Sequence, residues 1–331
     1  MLDQITRFIN EHRRFAITSH ERPDGDSLGS SLGLALALQA MGKRADVFQA
    51  DPSPQAYSSL PGASEIQLTR RLEAAYDGLF ILECSGLSRT GIAGLESYPV
   101  INIDHHPKAQ LYGDLNWLDI SAAAVGEMVF ELVRALGIAL TPEISTDLYV
   151  AILTDTGSFQ FSNTTARTFK IAGELVSAGA DPGKIAQAVY MNEPHSKVQL
   201  LGKILNTIQI HPSRKISWIH LTQQMLSQVG ASQNETEGIV NYPLAMEGIE
   251  MVAFFREQPD GTYRISLRSK NEHDVGSVAE NFGGGGHKNA AGLTVTGNFE
   301  EVRDRVVAEL QKLLSGSKFR VPSSKSPGGQ S

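Results

Sequence analysis

The sequence predicts an α/β protein in which a mostly parallel sheet flanked by helices is followed by a second, smaller α/β domain. Two observations carry this reading. In the first half of the 331-residue chain, short β-branched runs alternate with stretches of helical apolar spacing, the pattern of parallel strands joined by helices. Near residue 211 the pattern changes to four short strands interleaved with three helical stretches. At 41% hydrophobic, the chain can bury two cores of about 100–200 residues each.

The elements follow in order. Residues 15–18 read as the first strand, and 28–41, rich in Ala and Leu, as the helix after it. Further strands are expected at 44–48, 78–82 and 100–103. Helix-period apolar spacing then marks 127–136, 145–153 and 166–178. Gly179 and Pro182 punctuate the chain before another helix at 182–190, which closes the first domain at residue 190. Residues 191–210 read as a helical connector. The second domain, 211–316, has expected strands at 216–221, 250–256, 263–268 and 293–295, with helices at 223–229, 275–281 and 300–314. The Ser-, Pro- and Gly-rich stretch 317–331 reads as a disordered tail.

Composition excludes several classes. Charged residues make up 20%, which argues against a disordered or fibrous protein. No run of about 18 apolar residues occurs, and the first fourteen residues hold no apolar signal core, so a cytoplasmic protein without a membrane partner is expected. The single cysteine, Cys84, rules out an intrachain disulfide and a Cys-rich zinc site. A net charge of −7 is unsuited to coating long duplex nucleic acid. Any phosphate must be bound locally, by metals and a few placed donors.

The residues with chemistry in them fall just after expected strands. The first strand runs into His20-Glu21-Arg22-Pro23-Asp24-Gly25-Asp26-Ser27, which opens a helix. The strand at 78–82 is followed by Glu83, and that at 100–103 by Asp104-His105-His106-Pro107. A fourth acid, Asp155, ends a helical stretch in Leu153-Thr154-Asp155-Thr156-Gly157. In an open parallel sheet, ligands bind beyond the carboxyl ends of the strands, so these segments are expected to converge. Asp-Gly-Asp after a strand is also ordinary turn and helix-capping chemistry. The ordered conjunction of four such segments favours a site. Mixed imidazole and carboxylate donors suit two divalent ions, Mn2+ first, with Mg2+, Zn2+ or Fe2+ as competitors. Two ions about 3.5–4 Å apart clamp the attacking and leaving oxygens of a phosphoryl displacement and lower the pKa of water. One His and two acids per ion, one acid shared, would be an adequate set.

In the second domain, four consecutive glycines (Gly283, Gly284, Gly285 and Gly286) cost backbone entropy and make poor strand or helix. They suit a place where amide N–H groups approach a phosphate, with His287 next in line as a charge-assisted donor. Arg268, at the end of its strand, is the candidate second phosphate clamp. Residues 211–316 hold 10 Lys/Arg against 13 Asp/Glu, so this domain should read a short ligand rather than a long polyanion.

These residues resemble a known family. The order His20-x-x-x-Asp24-x-Asp26, Asp104-His105-His106 and Thr154-Asp155-Thr156-Gly157 is similar to the DHH phosphoesterases. The run Gly283-Gly284-Gly285-Gly286-His287-Lys288-Asn289-Ala290-Ala291-Gly292 resembles the signature of the DHH-associated C-terminal domain. The stretches Tyr112-Gly113-Asp114-Leu115-Asn116-Trp117 and Phe161-Ser162-Asn163-Thr164-Thr165 look most like the branch that degrades short RNA and dephosphorylates 3′-phosphoadenosine 5′-phosphate (pAp). The resemblance implies His20 and Asp24 on one manganese, Asp26, His105 and Asp155 on the second, and Glu83 shared. It implies His106 facing the substrate phosphate and Asp104 orienting the histidines. Short RNA oligonucleotides or a mononucleotide bisphosphate are the implied partners, with a homodimer left open. The family usually has Asp where this chain has Glu83, which bridges by a different rotamer or serves one metal. Cys84 reads as a small buried hydrophobe. The nearest rivals are a phosphodiesterase of cyclic or linear signalling dinucleotides and a non-catalytic nucleotide-binding protein.

Overall fold

The structure is a computed structural model that describes residues 1–236, 238–270 and 272–316, with only the backbone at His287, Ser315 and Gly316. The stretch 317–331 lies outside the described residues, and so does any test of it as a tail. The chain divides into two compact units, one spanning Met1–Asn192 and the other beginning at Glu193. No helix among the described residues is long and apolar enough to cross a membrane.

The first unit opens with α1 (Leu2–Glu11), β1 (Arg14–Thr18), α2 (Gly25–Ala40) and β2 (Arg44–Gln49). The short β3 (Gln67–Leu68), then β4 (Gly78–Leu82), β5 (Val100–Asp104) and β6 (Leu115–Leu118) complete a sheet. Four helices follow: α3 (Val125–Ala135), α4 (Pro142–Asp155), α5 (Ala166–Ser177) and α6 (Pro182–Tyr190). All pairings in the six-stranded sheet are parallel, in the order β3-β2-β1-β4-β5-β6. Strand alternation divides the core. Phe15, Ile17, Phe80, Leu82, Ile101 and Ile103 face the helices, whereas Ala16, Leu79, Ile81 and Val100 face loops and short 3-10 turns. The order reverses between β1 and β4, and their carboxyl ends flank the crevice where such sheets bind ligands.

Helices α2 and α4 lie against each other at backbone distance. A Cβ on Gly25 would strike the Thr154 side chain, and one on Gly29 would strike the Asp147 carbonyl and Ala151. This close approach brings the start of α2, with Asp24 and Asp26, beside the end of α4, with Asp155. The first turn of α2 begins three residues before the expected 28, because Asp24 caps it: its Oδ1 accepts from the Ser27 amide at 3.0 Å.

The second unit contains α7 (His195–Leu205), β7 (Gln209–Ile210), β8 (Ile216–Leu221), α8 (Gln223–Val229), α9 (Asn241–Ala245), β9 (Met251–Glu257) and β10 (Thr262–Ser269). It ends with α10 (Val275–Glu280), β11 (Gly285–His287), β12 (Ala290–Thr296) and α11 (Phe299–Gly316). Its mixed sheet runs β11-β12-β10-β9-β8-β7, with only β8 and β9 parallel. The stretch 191–210 is more than a connector here: Leu200 and Ile204 of α7 are buried in this unit's own core. One departure concerns the glycine run. It was expected to make poor strand, yet Gly285 and Gly286 pair with Gly292 and Ala291 of β12. A Cβ on Gly286 would collide with the Ala290 carbonyl and Ala291, so close strand-to-strand approach also demands glycine there.

Candidate functional site

Three imidazoles converge from the ends of β1 and β5, and each is held by Nδ1. His20 Nδ1 lies 2.8 Å from the Glu21 carbonyl, and His105 Nδ1 lies 3.1 Å from the Ala122 carbonyl. A carbonyl only accepts, so Nδ1 carries a proton in both rings, and in the neutral imidazole it is Nε2 that presents the lone pair. His106 Nδ1 is 2.8 Å from Asp104 Oδ1, which also accepts the His106 amide at 2.9 Å. Asp104 was expected to orient both histidines. It holds His106 alone, and the Ala122 carbonyl holds His105.

The Nε2 atoms point at carboxylates. His20 Nε2 is 2.6 Å from Glu83 Oε2 and 3.7 Å from Asp24 Oδ2. Asp24 therefore does both things its sequence context suggested, capping α2 with one oxygen and facing the site with the other. His105 Nε2 is 3.5 Å from Asp155 Oδ2, and His106 Nε2 is 3.7 Å from Glu83 Oε1. Asp26 is wholly enclosed: Oδ2 accepts from the Val125 amide at 2.7 Å, and Oδ1 from Ser30 Oγ and the Gly126 amide at 2.8 and 3.0 Å. His20, Asp24 and Glu83 form one group with donor atoms within 4.8 Å of one another, and Asp26, His105 and Asp155 another. Glu83 also groups with His105 and His106, so it lies within reach of a member of the second group as well. Its backbone takes the left-handed φ of 52°, uncommon for a non-glycine residue and typical of functional sites.

Electrostatics match a cation site. Burial would lower the His20 pKa, but the Asp24 and Glu83 carboxylates outweigh it and push it up to about 10. Burial, then the charges of Asp155, Glu83 and Asp24, push Asp26 well above the usual carboxylate range. Burial likewise raises Glu83 and Asp155. Two buried ligand atoms make no hydrogen bond: His105 Nε2, and the acceptor Glu83 Oε2, which lies close to His20 but out of line with a ring N–H. Lone pairs from imidazoles and carboxylates facing a common point fit divalent first-row ions.

The neighbouring residues fall into place. Cys84 is buried, its thiol donates to the Gly86 carbonyl, and burial pushes its pKa up to about 11, so it packs as a small hydrophobe. Arg89 donates to Ser85 Oγ at 2.9 Å.

In the second unit, Arg268 is half-buried and, among the described residues, donates to the Leu267 carbonyl alone. Gly283 and Gly284 lead into β11, which holds Gly285 and Gly286 and is separated from β10 by β12, whereas the side chain of His287 lies outside the described residues. Two residues missed in the sequence join Arg268. Arg264 lies four positions before it on β10, and Arg256 is Arg264's cross-strand partner on β9, so all three share one sheet face. Arg256 stacks over the Phe254 ring at 5.3 Å and donates to Ser266 Oγ at 2.6 Å. Burial, then Arg264 and Arg268, pull its pKa down to about 10. Among the described residues, none of the three pairs with a carboxylate. Only the alternation of arginines along two strands could have revealed them.

Fold and side chains together are those of DHH-type phosphoesterases, a class that uses divalent metals. Residues 14–153 match the N-terminal domain of the DHH family, and residues 215–316 match the DHHA1 domain. The chain is 33% identical over 304 residues, 90% of each chain, to the bifunctional oligoribonuclease and PAP phosphatase NrnA of Thermus thermophilus. It is 29% identical to the protein of the same name from Bacillus subtilis, over 95% of this chain and 98% of that one. The chain belongs to the DHH family. Among solved structures, an exopolyphosphatase-related protein from Bacteroides fragilis superposes with a TM-score of 0.86 at 27% identity, covering 96% of each chain. A pGpG-specific phosphodiesterase from Vibrio shares the fold at 12% identity and a TM-score of 0.50, covering 92% of this chain and 99% of that one.

Proposed function

We propose that this protein is a divalent-metal-dependent phosphoesterase that hydrolyses short RNA oligonucleotides and pAp, using two metal ions, with manganese the preferred one. The observation that carries the reading is the pair of donor groups, His20–Asp24–Glu83 and Asp26–His105–Asp155, with Glu83 also within reach of His105. The names of the relatives, over nearly the whole chain, support the substrate class.

His20, Asp24 and Glu83 would hold one ion, and Asp26, His105 and Asp155 the other, with Glu83 shared. When bound, such ions polarise the phosphoryl group and supply hydroxide near neutral pH. The protein's own residues do the rest. The Glu21 and Ala122 carbonyls keep the His20 and His105 lone pairs on Nε2. The side-chain hydrogen bond from Asp104 raises the pKa of the half-exposed His106 ring, which favours its protonated form. In that form its Nε2–H would donate to a phosphate oxygen and stabilise the charge that develops there. In the second unit, Arg256, Arg264 and Arg268 offer uncompensated positive charge for a nucleotide phosphate, with the amides of the glycine run as further donors.

A substrate panel tests the reading: pAp, a dinucleotide, a five-nucleotide RNA, cyclic di-AMP and pyrophosphate, each with manganese. The account expects pAp and the short RNAs to be turned over best, with rate per end falling as RNA lengthens beyond a few nucleotides. Preference for cyclic di-AMP would move the assignment to signalling dinucleotides. Binding without turnover of any substrate would make the protein a nucleotide binder.

A further inference from the structure

All three donors of the second cluster depend on one short stretch of chain. His105 Nδ1 donates to the Ala122 carbonyl at 3.1 Å. Asp26 accepts from the amides of Val125 and Gly126. Asn163 Nδ2 donates both to the Ala123 carbonyl, at 3.0 Å, and to the carbonyl of Asp155, at 3.1 Å. Residues 119–126 therefore set the tautomer of one donor, the orientation of the second and the backbone of the third. This stretch has no regular structure before α3 begins at Val125. Besides the Asp119 amide, which donates to the Asp104 carbonyl at 3.1 Å, side chains outside the stretch fix it.

That role falls to Arg167, on the first turn of α5. Its Nη1 donates to Asp119 Oδ2 at 2.8 Å, and Asp119 uses Oδ1 to accept the Ser121 amide and hydroxyl at 3.0 and 2.6 Å. Its Nε lies 3.3 Å from Glu127 and its Nη2 2.8 Å from Glu131, both on α3, as ion pairs without an aligned hydrogen bond. Glu127 is fully buried, and among the described residues Arg167 is its only ion-pair partner. One guanidinium thus joins the start of the stretch, through Asp119, to the helix at its end. A guanidinium presents three nitrogens in one rigid plane, whereas an ammonium gathers its donors on a single nitrogen at the end of a flexible stem.

We propose that Arg167 is a positioning residue for the second metal site: by clamping Asp119, Glu127 and Glu131 it holds residues 119–126 in the register that presents His105 and Asp26. The inference rests on the two-metal reading above. It places Arg167 outside the chemistry, touching neither metal nor substrate, and acting through the groups that do.

Removing Arg167 alone leaves Glu127 buried and unpaired, which endangers the fold. The test therefore uses Arg167→Met with Glu127→Gln, and Arg167→Lys as the conservative variant, in the full chain with manganese(II) as probe. Calorimetry counts the ions bound, and electron paramagnetic resonance reports whether the two are spin-coupled. Wild type should bind two coupled ions. The double variant should bind the first with unchanged affinity and the second roughly 10- to 100-fold more weakly, the usual effect of losing a group that orients a ligand. Its kcat on a short RNA should fall by a similar factor while KM stays near wild type, and Arg167→Lys should lie between. Two coupled ions at wild-type affinity in the double variant would overturn the inference alone. Equal weakening of both sites would also overturn it, by making Arg167 a general structural prop. A wild-type chain that binds fewer than two ions would overturn the two-metal reading, and this inference with it.

Discussion

The two units hold opposite imbalances of charge. In the first, Asp24, Asp26, Glu83, Asp104 and Asp155 gather around three imidazoles, and burial with mutual repulsion raises Asp26, Glu83 and Asp155. In the second, Arg256, Arg264 and Arg268 share a sheet face with no carboxylate partner among the described residues. Neither arrangement favours the isolated fold, because like charges brought together and desolvated cost free energy. One surface is built for cations and the other for anions. A metal-dependent phosphoesterase needs both.

The comparison breaks most sharply at the acidic cluster. Asp24→Asn or Asp155→Asn removes a charged donor while keeping the shape. Turnover should fall by about two to four orders of magnitude, since several kcal/mol of transition-state stabilisation depend on the ions. The unfolding midpoint should change little. Near-normal turnover in either variant at saturating manganese, measured on pAp, would remove that residue from the site.

Glu83 sharpens it next. Glu83→Ala should lose at least one bound ion by elemental analysis, together with most activity. Glu83→Asp shortens the side chain by one methylene and should keep both ions with altered preference among manganese, magnesium and zinc. Two ions retained in Glu83→Ala would mean that the bridge lies elsewhere.

On the basic face the effect is smaller. Arg256→Ala and Arg268→Ala should each lower kcat/KM for pAp roughly ten- to a hundredfold, the loss of one charge-assisted contact of about 1.5–3 kcal/mol. Metal content should not change, and a small activated diester should be cleaved almost as before. An equal loss on the small diester would place these arginines in the chemistry instead.

The smallest effect is a pH dependence of stability in chelator-treated protein. The His20 pKa is raised from 6.5 to about 10, so its contribution is complete below about pH 6.5 and is lost as pH rises through 10. Asp26, Glu83 and Asp155 are raised as well, so the cost of ionising them in the fold grows as pH climbs past the ordinary carboxylate range. Both effects act in one direction, while the lowered Asp24 and Asp104 matter only on the acid side. The unfolding midpoint of the metal-free chain should therefore drop between about pH 5 and 9. Manganese, competing with those protons, should lessen the drop. A midpoint that rises over this range would contradict the charge assignment.

Much of the first unit was legible because its signals are local. The strands at 78–82 and 100–103 are short apolar runs, and the acids and histidines follow them directly in sequence. What escaped depends on distant partners. Helix α1 buries only Ile5 and Ile9, too few apolar positions to stand out among polar neighbours. Strand β11 exists because its glycines lie against β12, a pairing that glycine's low strand propensity conceals. Arg256 and Arg264 read singly as solvated strand residues until the register sets them opposite each other. Arg167 has its hydrogen-bonding partner Asp119 48 residues away.

The central claim is that two ions sit in two separate donor groups joined by Glu83. Anomalous diffraction from crystals soaked in manganese tests it directly. Two peaks per chain are predicted, one among His20, Asp24 and Glu83 and one among Asp26, His105 and Asp155, with Glu83 reaching both. A single peak, or a second one away from Asp26, His105 and Asp155, would contradict the account.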